Sequence, residues 1–426
     1  MPEDSPTPDD PPERDRFIPM GKAALVDALA DRPGQPAGTD RAIRQLARWL
    51  TLLFHLRFFE ARESLKDLYP AFDPDQPGDG PLPGDGPERA DFFAALEPAL
   101  EAANFRRLGP GELALDNSRA GRVRARVVVP EQNYEEVRFY GRGRQIRHYT
   151  LKTLFGLRRL QVEEPIFDFV VFCAAASRTL PQGSRLRPGG VYLKLFRDIP
   201  QGDLNTLYPD ARVAMKLQDK LIIGVPALVG GVPIMLNILP ALSVLLLVVG
   251  AYLGVSGAVE EDSLKKALAA LSGLGALAGF LIRQWTKYER QKLRYQKLVL
   301  DNAYFNSVNN NRGFFDFLIG ASEDSEVKEA ILAYGFLLGR EAPVSGAELD
   351  AEIEAWLQEQ TGIDTDFELD DALRKLRELG ILRENTGGLT VIGPEAALAA
   401  CKKSWDAMAD SLADGGTAAE SPAKKA

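Results

Sequence analysis

The chain has 426 residues, 45% of them hydrophobic and 26% charged, with a net charge of −9. That length suggests two or three domains with ample apolar material for a core, and the acidic balance excludes a generally basic nucleic-acid-binding coat. Two cysteines exclude a disulfide framework or a Cys-rich zinc module, and two histidines exclude a multi-histidine metal centre.

Residues 1–15, MPEDSPTPDDPPERD, are acidic and proline-rich, with neither the apolar core of a secretory signal nor the arginine-rich look of a transit peptide; they are expected to be a disordered tail. A helix is expected from about Gly21 to Ala30. A longer one runs from Arg41 to about Leu68, capped by Thr39 or Asp40, with Ile43, Leu46, Leu50, Leu53 and Phe54 as its apolar stripe. Asp73–Arg89 is rich in proline and glycine and is read as a flexible loop, followed by a helix near Asp91–Ala103. Strand patterns follow at Arg122–Val129, Glu135–Tyr140, Ile166–Ala174 and Val191–Phe196, giving an α+β domain over residues 16–215.

No charged residue occurs in the 39 positions from Leu221 to Val259. A bilayer-spanning helix needs about 20 residues. Pro226, Pro233 and Pro240 argue against one straight helix, so 221–232 is read as an apolar approach segment and about 233–253 as the first span. Ala267–Ile282 follows as a second apolar run, which reaches spanning length over about 264–282 with Lys265 and Lys266 snorkelling. Gly275 and Gly279 form a GxxxG face that lets another backbone approach, either the first span in a hairpin or a second copy of the chain. Arg212, Lys216 and Lys220 before the runs, and Arg283, Lys287, Arg290, Lys292, Arg294 and Lys297 after them, outnumber the two lysines of the connecting loop, so both flanks are placed in the cytoplasm or its organellar equivalent.

Residues 286–320 read as a charged juxtamembrane helix ending in an Asn-rich turn around Asn309, Asn310 and Asn311. Within 321–395, helices at Glu326–Leu338, Gly346–Gln360 and Phe367–Leu379 precede a hairpin of Ile381–Glu384 and Leu389–Ile392, the order of a winged helix. Residues 396–426 are read as a helix and a disordered tail. The expected fold class is thus an α+β membrane protein: an N-terminal α+β domain, a two-helix transmembrane hairpin over 216–285 and a C-terminal winged-helix-like domain.

Several segments in order, RFIPMGKAALVDALA (Arg16–Ala30), FHLRFFEARESLKDLYPAFDPD (Phe54–Asp75), YLKLFRDIPQGDLNTLYPDARVAMKLQDKLIIGVPALVGG (Tyr192–Gly231), NAYFNSVNNNRGFFDFL (Asn302–Leu318) and EVKEAILAYGFL (Glu326–Leu337), resemble the family of eukaryotic transmembrane protein 143 and its bacterial relatives. The resemblance runs from Arg16 to about Ile392. It implies a multi-pass membrane protein carrying a domain of unknown function, in the inner membrane of a bacterium or in mitochondria of a eukaryote, and it supplies no catalytic residues.

The candidate ligand site is basic. Arg138, Arg142, Arg144, Arg147, Lys152, Arg158 and Arg159 fall in a stretch without an acid, and Arg122, Arg124 and Arg126 alternate upstream of it. On a membrane-tethered domain such a patch suits anionic lipid or phosphate; the alternative is a solvated sheet face paired with Glu135, Glu136, Glu163 and Glu164. From Glu326 to Ile392 fifteen acids face six bases, which favours a protein partner over DNA. Catalysis finds little support. His55 with Glu60 and Glu63 suits a packing seam, His148 belongs to the basic stretch, Cys173 to an apolar strand, and Asp73 and Asp75 to a turn; no cofactor or metal is implied. The reading is a membrane-anchored scaffold or adaptor that contacts anionic lipid and a protein, with a membrane-surface enzyme acting on a lipid or phosphorylated substrate as the alternative.

Overall fold

Apolar spacing in the N-terminal helices finds its partner at the far end of the chain. In this computed structural model, which describes residues 14–32, 38–78, 80–113, 126–153, 158–214, 242–243, 246, 248–251, 253–254, 261–340, 342–385 and 387–413, helices α1 (Lys22–Ala30) and α2 (Thr39–Leu68) pack with α5 (Arg312–Leu337), α6 (Gly346–Thr361), α7 (Leu369–Glu378) and α8 (Pro394–Ala413). Leu25, Leu29, Ile43, Leu50, Ile331, Tyr334, Leu349 and Leu376 share one buried core. Close approach is needed there: a Cβ on Gly335 would stand 2.6 Å from Leu29. The region expected to be a separate C-terminal domain therefore shares its core with residues 18–54.

The five-stranded sheet is antiparallel throughout, in the order β1 (Arg106–Arg107), β3 (Tyr134–Thr153), β4 (Arg158–Ala176), β5 (Val191–Pro200), β7 (Ser307–Asn310). Its second core joins Val171, Leu193 and Leu195 to Tyr69, to Phe92 and Phe93 of α3 (Gly86–Ala102), and to Phe314 and Phe315 of α5. Both cores use α2 and α5, the two long helices that run through them. Asp85 and Glu88 close a reciprocal capping box at the start of α3, so the helix begins five residues ahead of the expected Asp91.

The Asp73–Arg89 loop is pinned. Leu82 is buried and its N–H reaches Pro188 O at 3.0 Å, while Arg187 holds Gly80 O at 2.9 Å and Gln76 O at 2.5 Å. Asn309 and Asn310 of the Asn-rich segment belong to edge strand β7, and the expected turn falls on its last residue, Asn311 (φ 48°), which accepts from Leu193 N–H and donates to Leu193 O. The tail also ends earlier than expected. Arg14 pairs with Glu354 at 2.8 Å and Asp366 at 3.0 Å, and Asp15 bridges Thr365.

A second compact unit holds residues 116–130 and 205–305. Its described parts include the two-stranded pairing of β2 (Arg126–Val128) with β6 (Arg212–Ala214) and most of α4 (Glu261–Asn306). The expected second span and juxtamembrane helix form this one helix without a break. Among the described residues α4 is the one helix long and apolar enough to cross a membrane, over Lys265–Arg294. Most of the uncharged run 221–259, and most of the expected first span at 233–253, lies outside the described residues, so the hairpin is not seen.

Candidate functional site

A cleft of about 750 Å³ opens between the end of α3 with β1, the N-terminal segment Arg14–Arg16, and helices α5 and α7. Glu97, Glu101, Arg106 and Arg107 line one side; Glu326, Glu329, Glu368, Asp371 and Arg374 line the other, with Phe105 and Tyr140 as aromatic wall. Beneath it lies Lys375, fully buried. Its ammonium reaches Glu326 at 2.9 Å, Asp371 at 2.6 Å and Glu329, one carboxylate for each of its three donors. Asn104 Nδ2 also donates to Glu329 at 3.0 Å.

Local sequence explains the placement. Glu326 and Glu329, three apart on α5, stand just before the apolar run that begins at Ala330; Asp371 and Lys375, four apart, share a face of α7. Those two spacings were the available signal, and sequence reasoning passed over all four residues. The three carboxylate oxygens lie within 4.8 Å of one another, a spacing suited to a cation, and the lysine ammonium takes that role. Burial pushes Glu326 up to about 7, with Lys375 working against the shift and Glu329 adding to it. Burial also raises Glu368, opposed by Arg16. Burial favours neutral Asp371, but Lys375 and Arg374 outweigh it and hold the carboxyl below its ordinary value. The cleft therefore carries one carboxyl that exchanges its proton near neutrality beside a fixed ammonium.

The expected basic site does not form one exposed face. Arg142 is buried inside an aromatic cage, its guanidinium 4.6 Å from the ring centres of Phe17 and Phe105, 4.9 Å from Phe169 and 5.6 Å from Phe317. It donates to Ala103 O at 2.9 Å, and burial lowers it to about 10. Arg138 pairs with Glu97 at 2.7 Å and with Glu136, over the ring of Phe93. Arg144 is half-buried and gives its backbone N–H to Asp15 at 2.8 Å. Arg147 is exposed and paired with Asp198 at 2.8 Å. Lys152 opposes Arg159 and Thr153 opposes Arg158 in strand register, where β3 and β4 run past β5 as a two-stranded arm. Arg126 opposes Ala214 in the β2–β6 pair, and Arg122 and Arg124 lie outside the described residues.

The remaining candidates separate as well. Gly275 and Gly279 are exposed on α4, and a Cβ on either would meet nothing within 4 Å, so no described helix packs there. His55 Nδ1 lies 2.8 Å from Glu323, a contact between α2 and α5. His148 lies 3.4 Å from Glu163, both exposed. Cys173 is fully buried, and burial pushes its thiol up. Asp73 accepts from Arg312 Nε at 2.6 Å and Asp75 from Asn311 Nδ2 at 2.7 Å, which ties the loop to the start of α5.

Residues 169–313, from the middle of β4 through β5, the uncharged run and α4 to β7, match the family described as Protein of unknown function (DUF3754). No solved structure matches the chain. A domain of unknown function is thus present in an α+β chain, and it encloses the candidate membrane helix and the strands on either side of it.

Proposed function

We propose that this chain is a membrane-anchored scaffold, held in the bilayer by α4 together with the uncharged run, with both flanking regions on the cytoplasmic side. One observation carries this reading. Leu268, Leu271, Leu281, Ile282 and Trp285 stand 53–67% exposed along α4, in a chain whose two cores bury their large apolar residues almost completely. A contiguous apolar surface of that kind calls for lipid or a partner, and the 39-residue uncharged run beside it favours lipid. On this reading the run supplies the second leg of a hairpin, and the resemblance to the transmembrane protein 143 family fits the placement.

The last part of the chain then serves as a protein-binding module. Val344 bridges Leu389 beside the hairpin of β8 (Leu382–Asn385) and β9 (Gly388–Val391), which with α5, α6 and α7 follows the winged-helix order. Helix α7, which stands where a winged helix carries its reading helix, turns Lys375 inward onto carboxylates, and the surplus of acid repels phosphate, so the partner is a protein. The cleft favours a second reading, an enzyme at the membrane surface that uses Glu326 as an acid–base group.

Alkaline carbonate extraction of membranes tests the anchor: the scaffold reading expects the chain in the pellet, and release to the supernatant overturns it. A reporter fused between Glu260 and Ser263 tests orientation, with the loop expected on the non-cytoplasmic side.

A further inference from the structure

Past the apolar part of α4, the positions Arg283, Lys287, Arg290, Arg294 and Lys297 recur in steps of four, three, four and three. At 3.6 residues per turn these steps keep all five within about 40° of a single line, over about 21 Å of helix. All five side chains are exposed, and none makes an ion pair or hydrogen bond among the described residues. The sixth base shows the contrast: Lys292 falls on the opposite side and lies 4.0 Å from Glu289. Trp285, 67% exposed, marks the start of the stripe, close to Tyr288 at a ring separation of 6.1 Å.

We infer that this stripe binds the phosphate headgroups of anionic lipids where α4 leaves the hydrocarbon. The inference rests on the membrane reading above and names the lipid class that the helix selects. Five cations on one face, none with a partner among the described residues, form a continuous positive strip that an anionic leaflet complements, and arginine forks suit phosphate oxygens. The apolar residues just before Arg283 put the first two cations at headgroup depth, and tilt of the helix toward the stripe brings Arg290 down to the same layer. Of the strand arginines, Arg138 and Arg142 are engaged inside the protein, whereas all five bases of the stripe stand exposed.

The test uses the full chain in lipid nanodiscs that contain a minority of anionic lipid, with tryptophan quenching by bromines carried either on the anionic or on the zwitterionic component. Each base near an anionic surface adds roughly fivefold to local affinity, so bromines on the anionic lipid are expected to quench several-fold beyond their mole fraction. The triple variant R283Q/K287Q/R290Q is expected to return quenching to the mole fraction, while K292Q keeps the excess. Quenching that tracks mole fraction in the parent chain, or an excess that survives the triple change, overturns the inference and leaves the anchor standing. Absence of quenching from either lipid refutes the membrane reading itself, and the inference with it. Loss of the excess on adding RNA would identify nucleic acid as the better occupant and likewise overturn the assignment.

Discussion

Replacing Lys375 with methionine removes the one cation that contacts all three of Glu326, Glu329 and Asp371 among the described residues, leaves Asp371 with Arg374 alone, and leaves the three oxygens within 4.8 Å of one another. Methionine fills a similar volume, so packing changes little and electrostatics dominates. Removing one partner from a buried ion cluster costs about 3–5 kcal/mol. For a unit of this size that is a fall in Tm of about 5–8 °C. The sign with pH follows from linkage. Glu326, raised to about 7, contributes stability that is present below the ordinary carboxylate range and lost as pH rises through about 7. In the variant Glu326 loses the ammonium that opposes its shift and is raised further, so the deficit is largest above pH 7 and narrows toward pH 5. Thermal melts of parent and K375M in mild detergent, followed by circular dichroism across that range, measure it. A loss below about 1 kcal/mol, or one that does not change with pH, would refute the view that this lysine balances a buried acidic cluster.

Other perturbations separate the remaining roles. Burial lowers Lys328 to about 8, and its ammonium makes one long bond to Ile18 O at 3.4 Å. Its unfolded state binds more protons between about pH 8 and 10.5, so K328M should raise Tm at pH 7 and lose that advantage as the pH passes 10; a lower Tm at pH 7 contradicts this. Gly143 sits at φ 69° with Asp168 Cβ 2.6 Å from any added Cβ, so G143A should cost about 2 kcal/mol or more, read from the same melts. D73N removes the charge in the bond from Arg312 and should cost about 1–3 kcal/mol, with faster amide exchange at 307–313 as its local sign.

Local signals in the sequence were good guides to local structure. The stripe from Ile43 to Phe54 places α2, and the expected helix at Gly346–Gln360 differs from α6 by a single residue. The expected hairpin stands as β8 and β9, which meet at Gly388, where φ 129° with Val344 O 2.5 Å from a would-be Cβ admits no other residue without strain. What failed was non-local. Nothing in the period of α1 or α2 says that their apolar faces meet α5 and α8 some 300 residues later. Strand alternation shows that Arg138 and Arg142 share a face, but not that aromatic residues from α3, α5 and the N-terminal segment cover it. The cleft's lysine and carboxylates are charges in positions that composition assigns to the surface, and only the pairing of α5 with α7 buries them.

The central claim is that α4 crosses a membrane, and three of its leucines make the test unusually direct. Leu271, Leu281 and Leu293 are 59%, 53% and 58% exposed, so without a bilayer cysteines at these positions should react alike with a water-soluble maleimide. The native thiols Cys173 and Cys401 are buried and contribute little background. In intact membranes the account predicts that L271C and L281C are protected while L293C is labelled, and that detergent makes all three reactive. Equal labelling of the three before detergent would contradict it.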